Sequence, residues 1–124
     1  MAERSRRRHR IADCLDDIID NIARIELYVA GLGEDGLGAD RLRYGVVERY
    51  LERICEAAFR LHDQAAILMP DQPWQGIRGL GNRLRHAYDH IDLDIVWRVV
   101  TERLPDLKTD AAHALERLQA DGEA

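Results

Sequence analysis

Residues 40–68, DRLRYGVVERYLERICEAAFRLHDQAAIL, decide the fold class of this chain. Apolar residues recur in this stretch at alternating spacings of three and four, which places them along one face of a helix. The residues of this seam are Tyr44, Val47, Leu51, Ile54, Ala58, Leu61, Ala65 and Leu68. A seam of this length suits the left-handed packing of helices in a bundle. The pattern therefore predicts one long helix, from about Asp40 to Leu68, in an all-helical domain.

Four further helices are predicted on either side of this one. The first runs from about Arg8 to Ala30, and the third runs from about Pro73 to His90. The fourth follows Asp92 as its N-cap to about Leu104, and the fifth opens at Pro105. The glycine-punctuated stretch at residues 31–38 is predicted to be a connector. We therefore expect an all-α, up-and-down bundle of four to five helices.

The length and composition of the chain favour one domain that spans residues 1–124. We expect residues 1–8 to form a basic, disordered start and residues 121–124 to form a frayed tail. Cys14 and Cys55 fit no metal or redox spacing, so both are expected to be small buried residues. The basic start leads into acidic residues rather than an apolar segment, and no stretch resembles a membrane span. These features predict a cytoplasmic protein that contacts no membrane.

The charge of the chain is unevenly distributed. The net charge is −5, yet residues 1–10 contain five arginines and one glutamate, a local balance of +4. An acidic remainder argues against broad coating of nucleic acid, but it leaves room for a local RNA contact. Two interpretations of the arginines stay open at this point, a solvated start and an RNA-binding arm. Unchanged RNA affinity after deletion of residues 1–8 would exclude the arm.

The third helix carries the densest chemistry in the chain, in the run NRLRHAY at residues 82–88. Because successive residues turn by 100°, Arg78, Asn82 and His86 fall on one stripe, with Arg85 beside His86. A neutral imidazole can take a proton from a ribose 2′-hydroxyl near pH 7. Arginines can hold the phosphate beside that hydroxyl. The stripe therefore predicts an RNA-cleaving site on a helix.

The same helix is also predicted to dock on the bundle through an apolar face. The residues of this face are Ile77, Leu80, Leu84 and Ala87. Three glycines, at positions 76, 79 and 81, interrupt the helix at a cost of roughly 1 kcal/mol each relative to alanine. The close approach of another helix or of a ligand backbone is the usual reason for such glycines.

The third helix also carries a resemblance to a known family. The pattern N-x-L-x-H-x-Y at residues 82–88, followed by IDL at 91–93 and VW at 96–97, resembles the HEPN domain family, most closely its HepT-like branch. The run ICEAA at residues 54–58 is similar to that branch as well. The resemblance extends from the first helix to residue 107. It implies a helical bundle that forms a homodimer and acts as a metal-independent endoribonuclease with no cofactor.

The resemblance also implies a biological setting and a partner. Many HepT-like proteins are toxins that are paired with a minimal nucleotidyltransferase antitoxin. That antitoxin can adenylylate the tyrosine of the motif, which is Tyr88 in this chain. Tyr88 and the neighbouring Arg83 are also expected to contact the RNA substrate.

The resemblance assigns a role to each residue of the polar stripe. His86 is expected to act as the general base on the ribose 2′-hydroxyl. Arg78 or Arg85 is expected to stabilise the charge that develops on the phosphorus, and the sequence leaves the choice open. Asn82 is expected to donate a hydrogen bond to the histidine or to a phosphate oxygen. No residue is expected to bind a metal ion.

The chain departs from the family at one position. The family places an arginine five to seven residues before the histidine, and Gly81 occupies the usual position here. One alternative is therefore a catalytically inactive HEPN binding module that partners a nucleotidyltransferase. A second alternative is a plain helical oligomerisation domain, which explains the seam but not the polar stripe. A stoichiometric complex without nuclease activity would favour the binding module.

Overall fold

The computed structural model describes residues 2–86 and 91–123, and every regular element within those residues is helical. The helices are α1 (Ala2–Val29), α2 (Glu34–Ala39), α3 (Arg41–Leu61), α4 (Asp63–Leu68), α5 (Trp74–His86), α6 (Leu93–Arg98) and α7 (Leu104–Glu123), with a π-helical turn at Val99–Arg103 between the last two. The prediction of an all-α bundle is confirmed. None of these helices is both long and apolar enough to cross a membrane.

The core lies where α3 packs between α1 and α5, and α1 also packs against α7. The predicted seam is buried from Tyr44 to Ala65, and its last member, Leu68, is half-buried. The α1 stripe opposite it contributes Leu15, Ile18, Ile22 and Ile25, none of which has any exposed surface. Cys14 and Cys55 are both buried, as predicted. Burial of apolar side chains along these helix faces is the main force that holds the bundle together.

The long second helix of the prediction is interrupted at His62. The backbone of His62 has φ 51° and ψ −130°, and its N–H donates to the carbonyl of Phe59 at 3.1 Å. The short helix α4 then begins at Asp63 and buries Ala65. The apolar periodicity continues across this break, so the sequence pattern could not reveal it.

Both ends of the chain are more helical than predicted. Helix α1 begins at Ala2 rather than near Arg8, so it includes residues that were expected to be disordered. Glu3 forms ion pairs with Arg6 at 3.1 Å and with Arg10 at 3.5 Å, which link successive turns of this segment. Helix α7 runs through Glu123, beyond the expected onset of fraying at Asp121.

Two connections also differ from the prediction. Gly31 adopts φ 77° and ends α1, but the rest of the expected connector contains helix α2. The fourth and fifth predicted helices form one continuous helical run, because Pro105 does not break it. The N–H of Leu104 donates to the carbonyl of Val99, so the hydrogen-bonding pattern shifts by one residue just before the proline.

Candidate functional site

Helix α5 positions the candidate site, and it is anchored at its first turn. The N–H of Ile77 donates to the carbonyl of Pro73 at 3.0 Å, and the indole N–H of Trp74 donates to the carbonyl of Met69 at 2.8 Å. Ile77, Leu80 and Leu84 are half-buried against the core, which confirms them as the docking face. The predicted fourth member of that face, residue 87, lies outside the described residues.

A recess between α3 and α5 brings together three of the four predicted catalytic residues. Its volume is about 90 Å³, and Arg78, Asn82 and Arg85 all line it. The other lining residues are Cys55, Phe59, Ile77 and Gly81. His86 does not line the recess; it is exposed on the last turn of α5, next to Arg85 in sequence. The recess is therefore a small cationic depression, and the histidine follows one of its arginines on the same helix.

Arg85 is held in place on two sides. Its Nη2 donates to Oδ1 of Asn82 at 2.7 Å, and its guanidinium carbon lies 6.0 Å from the centre of the Phe59 ring. A hydrogen bond and a cation–π contact together limit the rotamers of a long side chain. Within residues 2–86 and 91–123 no other group bonds to this guanidinium. Its remaining N–H donors can bind the oxygens of an anion, which arginine does in a fixed, forked geometry.

Gly81 is the one buried residue of α5, and its lack of a side chain has a structural cause. A Cβ atom at this position would lie 3.0 Å from Cβ of Cys55 on α3. Because the Cys55 Cβ is bonded directly to the α3 backbone, it cannot rotate away. The glycine therefore permits the close approach of α3 and α5.

The side chain of a different arginine, Arg85, lies close to the position that the usual motif arginine would occupy. Nη1 of Arg85 lies 3.9 Å from the point where a Gly81 Cβ would stand. Residues 81 and 85 are one helical turn apart, so the Arg85 side chain extends back over the glycine. The recess thus contains a guanidinium near residue 81, although the sequence has glycine there.

Two glycines of α5 should respond to alanine in opposite ways. Gly79→Ala should stabilise the fold by about 0.5–1 kcal/mol, because the added Cβ meets nothing within 4 Å and alanine favours the helix. Gly81→Ala should destabilise it by about 1 kcal/mol or more, because overpacking against Cys55 exceeds the gain in helix propensity. Urea unfolding of both variants measures the two changes. Stabilisation by both would contradict the packing given for Gly81.

The structure separates Arg83 from the recess. Arg83 lines a larger and mostly apolar cavity of about 420 Å³, together with Arg103 of the π-helical turn. The predicted contact of Arg83 with RNA therefore concerns a different surface of α5. Tyr88, the predicted modification site, lies outside the described residues, and so does His90 at the predicted end of the helix.

The chain that follows the motif is fixed to α3 at Ile91. The hydroxyl of Tyr44 donates to the Ile91 carbonyl, and Oε2 of Glu48 accepts from the Ile91 N–H at 3.2 Å. Burial, reinforced by the negative charge of Glu48, raises the pKa of Tyr44 to about 12, so its hydroxyl remains a donor. Asp92 occupies the N-cap position of α6 as predicted, although its side chain makes no capping bond.

Phe59 is a site residue that the sequence reasoning missed. It lies outside the apolar seam of α3, and 54% of its surface is exposed. An aromatic residue off the seam was the available signal, but its contact with Arg85 depends on how α3 and α5 pack. Cys55 was also missed as a lining residue. Burial raises the pKa of its thiol to about 12 against the opposing effect of Arg85, so Cys55 is not a nucleophile at neutral pH.

The described residues include no group of three or more His, Cys, Asp and Glu side chains that could hold a metal ion. The recess offers guanidinium and amide N–H donors, and His86 follows Arg85 on the same helix. Guanidinium and amide donors can bind a phosphate, and an imidazole can move a proton near one.

Comparisons with known proteins agree on one family. A family profile described as "Ribonuclease HepT-like" matches residues 18–114. "Probable ribonuclease HepT" of Thermococcus cleftensis is 31% identical over 96 residues, which cover 77% of this chain and 87% of that protein. A "Putative RNase" of Methanocaldococcus jannaschii is 36% identical over 69 residues, which cover 56% of this chain and 62% of that protein. No solved structure shows a significant match.

Proposed function

Because the chain belongs to the HepT-like ribonuclease family, we propose that it is an endoribonuclease that cleaves RNA without a metal ion, at a site on α5. Family membership supports the ribonuclease class. The observation that carries the proposal is the convergence of Arg78, Asn82 and Arg85 in one recess, with the exposed His86 next to Arg85 in the sequence of α5.

The proposed reaction is an internal transesterification. The imidazole of His86 takes the proton of the ribose 2′-hydroxyl, and the 2′-oxygen forms a bond to the adjacent phosphorus. The bond from phosphorus to the 5′-oxygen then breaks, and that oxygen takes up a proton. The products are a 2′,3′-cyclic phosphate and a 5′-hydroxyl end. No external nucleophile is consumed in this step.

The arginines of the recess supply the charge that this step needs. Negative charge grows on the phosphate oxygens as the fifth bond to phosphorus forms. Arg85 is already oriented by Asn82 and Phe59, so little rearrangement is needed when that charge appears. Arg78 lines the same recess about two turns from His86, a rise of roughly 12 Å along the axis. We therefore assign the main stabilising role to Arg85.

The 2′-hydroxyl requirement gives a direct test of this mechanism. A short RNA that contains the cleavage site should be cut to a cyclic-phosphate end. The same oligonucleotide with a single 2′-deoxy residue at that site should resist cleavage, because it lacks the attacking oxygen. Chromatography with mass detection identifies the ends. Cleavage of the 2′-deoxy oligonucleotide at the same bond would show that the proposed step is wrong.

We further propose that the protein acts as a homodimer in the cytoplasm. A second α5 placed beside the first would double the cationic surface that faces RNA. The recess residues Arg78, Asn82 and Arg85 are all exposed, so this face of α5 is open to a second copy. We expect the recesses of the two copies to line one cleft.

The proposed partner is a minimal nucleotidyltransferase that acts as antitoxin to this chain as toxin. It would transfer AMP from ATP to the hydroxyl of Tyr88 and release pyrophosphate. Tyr88 lies two residues after His86 in the sequence, so the added phosphate would place negative charge where the RNA phosphate binds. Adenylylation should therefore suppress RNA cleavage.

Incubation with the cognate nucleotidyltransferase and ATP should add AMP to the wild type and abolish cleavage. Tyr88→Phe should gain no AMP and should keep its activity in the same mixture. Tyr28→Phe is the matched control, because Tyr28 is exposed on α1, and it should be modified and silenced like the wild type. Intact mass and cleavage are measured on each sample. Complete loss of cleavage by Tyr88→Phe, with AMP attached to another residue, would contradict the assignment of Tyr88 as the modified residue.

The alternative is the inactive binding module, which Gly81 favours because the usual arginine is missing. The position of Arg85 over Gly81 favours the nuclease instead, because it returns a guanidinium to that region. A stable complex with the nucleotidyltransferase and no cleavage by AMP-free protein would support the module.

A further inference from the structure

The recess continues past Phe59 on the surface of the protein. The Phe59 and His62 rings lie 5.6 Å apart between centroids, with an angle of 54° between their planes. The Arg85 guanidinium contacts the same Phe59 ring. Phe59 and His62 are both exposed, so Arg85, Phe59 and His62 form a surface strip that leads from the recess to the α3–α4 junction.

A groove begins where this strip ends. It has a volume of about 550 Å³ and lies between the start of α1 and the α3–α4 junction. Its cationic side chains are Arg7, Arg10 and Arg60, and His62 also lines it. The groove therefore links the arginine-rich start of the chain to the strip.

The groove also contains carboxylates. Asp13 and Asp63 line it, Arg60 is paired with Asp17 at 3.0 Å, and Arg10 is paired with Glu3. Beyond it, burial and the neighbouring aspartates raise the pKa of Asp16, which marks a strongly acidic face on α1. An anionic chain is thus attracted to the first turns of α1 and repelled from the turns that follow.

The backbone of His62 gives a second reason to consider the strip. Its φ of 51° lies in a region that residues with side chains rarely adopt, and it is the one such non-glycine residue in the described chain. This conformation ends α3 and leaves both rings of the strip exposed. Strain of this kind persists where the surrounding structure holds it, and it is often found at binding sites.

We infer that single-stranded RNA crosses this strip on its way out of the recess. Unpaired bases stack on Phe59 and His62, and the phosphates that follow bind Arg7 and Arg10. Stacking on exposed rings requires bases that are not paired, and arginines beside the rings neutralise the phosphate charge of the RNA. The inference rests on the proposed function, because the scissile phosphate is taken to occupy the recess. It assigns the arginine-rich start to substrate binding.

The binding test uses a fluorescent single-stranded RNA and the full chain. Phe59→Ala should weaken binding about 5- to 150-fold, which corresponds to the 1–3 kcal/mol of one base–aromatic stack. Phe59→Trp should retain affinity, because it preserves the stacking surface. Ile67→Ala is the matched control, since Ile67 is also a large exposed apolar residue, and it should bind like the wild type. Loss of binding with Ala but not with Trp excludes a general loss of fold.

The salt dependence tests the arginines separately. The double variant Arg7→Ala/Arg10→Ala should reduce the magnitude of the slope of log affinity against log salt by about 0.7 to 1.4, the amount expected for one or two lost contacts with the phosphates of a single strand. Arg41→Ala/Arg98→Ala removes the same charge from exposed positions on α3 and α6 and should leave the slope unchanged. In cleavage assays, the Arg7/Arg10 variant and Phe59→Ala should raise KM more than they lower kcat.

The outcomes separate the strip from the proposed function. If the wild type cleaves RNA while Phe59→Ala and the Arg7/Arg10 variant retain the wild-type affinity and KM, RNA does not cross the strip. The proposed nuclease activity is unaffected by that result. If the wild type binds single-stranded RNA through these residues without cutting it, the proposed RNA path is supported and the proposed nuclease activity is wrong. Equal affinity for double-stranded RNA would overturn the stacking component.

Discussion

His86→Ala is expected to reduce the rate of RNA cleavage by about 100- to 10,000-fold, the range for removal of a general base. The imidazole is the group proposed to take the 2′-hydroxyl proton, and alanine cannot replace it. Because His86 is exposed on the last turn of α5, the fold should be retained. Cleavage rates of the purified variant and wild type, with melting curves of both, measure the effect.

His113→Ala provides the matched control for this loss. His113 is exposed on α7 and lies outside the recess, so its removal should leave the cleavage rate unchanged. An equal loss in both variants would point to a fold defect and not to loss of the base. Wild-type activity in His86→Ala, in protein free of contaminating nuclease, would show that another group removes the proton.

Arg85→Ala is expected to lower kcat by about 100- to 1,000-fold, the range measured for loss of one preorganised donor to a developing negative charge. The guanidinium is oriented by Asn82 and lies over Phe59 at the edge of the recess. Arg85→Lys should recover only part of the rate, because an ammonium group lacks the planar fork of donors. Single-turnover cleavage by each variant separates this step from binding.

Substitution of the neighbouring Arg83 tests whether kcat depends on the position of the arginine or only on overall positive charge. Arg83→Ala removes the same charge, but Arg83 lines the separate apolar cavity on α5. The Arg83→Ala variant should therefore retain the wild-type kcat, even if its KM changes. An equal fall in kcat for Arg83→Ala and Arg85→Ala would mean that overall charge, and not the recess, supports the reaction.

Much of the fold could be predicted from the sequence, because amphipathic patterns report which faces are buried. The α3 seam and the docking face of α5 were both found in this way. The break at His62 could not be found, because the apolar residues on its two sides keep the same spacing. Helix α2 was missed because glycine-rich stretches usually indicate loops.

The candidate site was predicted only in part, because helical spacing describes one helix at a time. Helical spacing predicted a stripe of Arg78, Asn82 and His86 with Arg85 beside it, and the recess includes Arg78, Asn82 and Arg85 but not His86. Phe59 and Cys55 belong to α3, so their place at the recess depends on the crossing of two helices. The reason for Gly81 lies in the same crossing, since its absent side chain is what lets Cys55 approach.

We expect this chain to be an active nuclease even though its motif has Gly81 in place of arginine. The most direct measurement is RNA cleavage in EDTA by wild-type protein whose intact mass shows no added AMP. Cleavage to 2′,3′-cyclic-phosphate ends is expected at a rate that EDTA does not change. No cleavage by AMP-free, folded protein at high concentration would show that the chain is not a nuclease and would leave the binding module as its function.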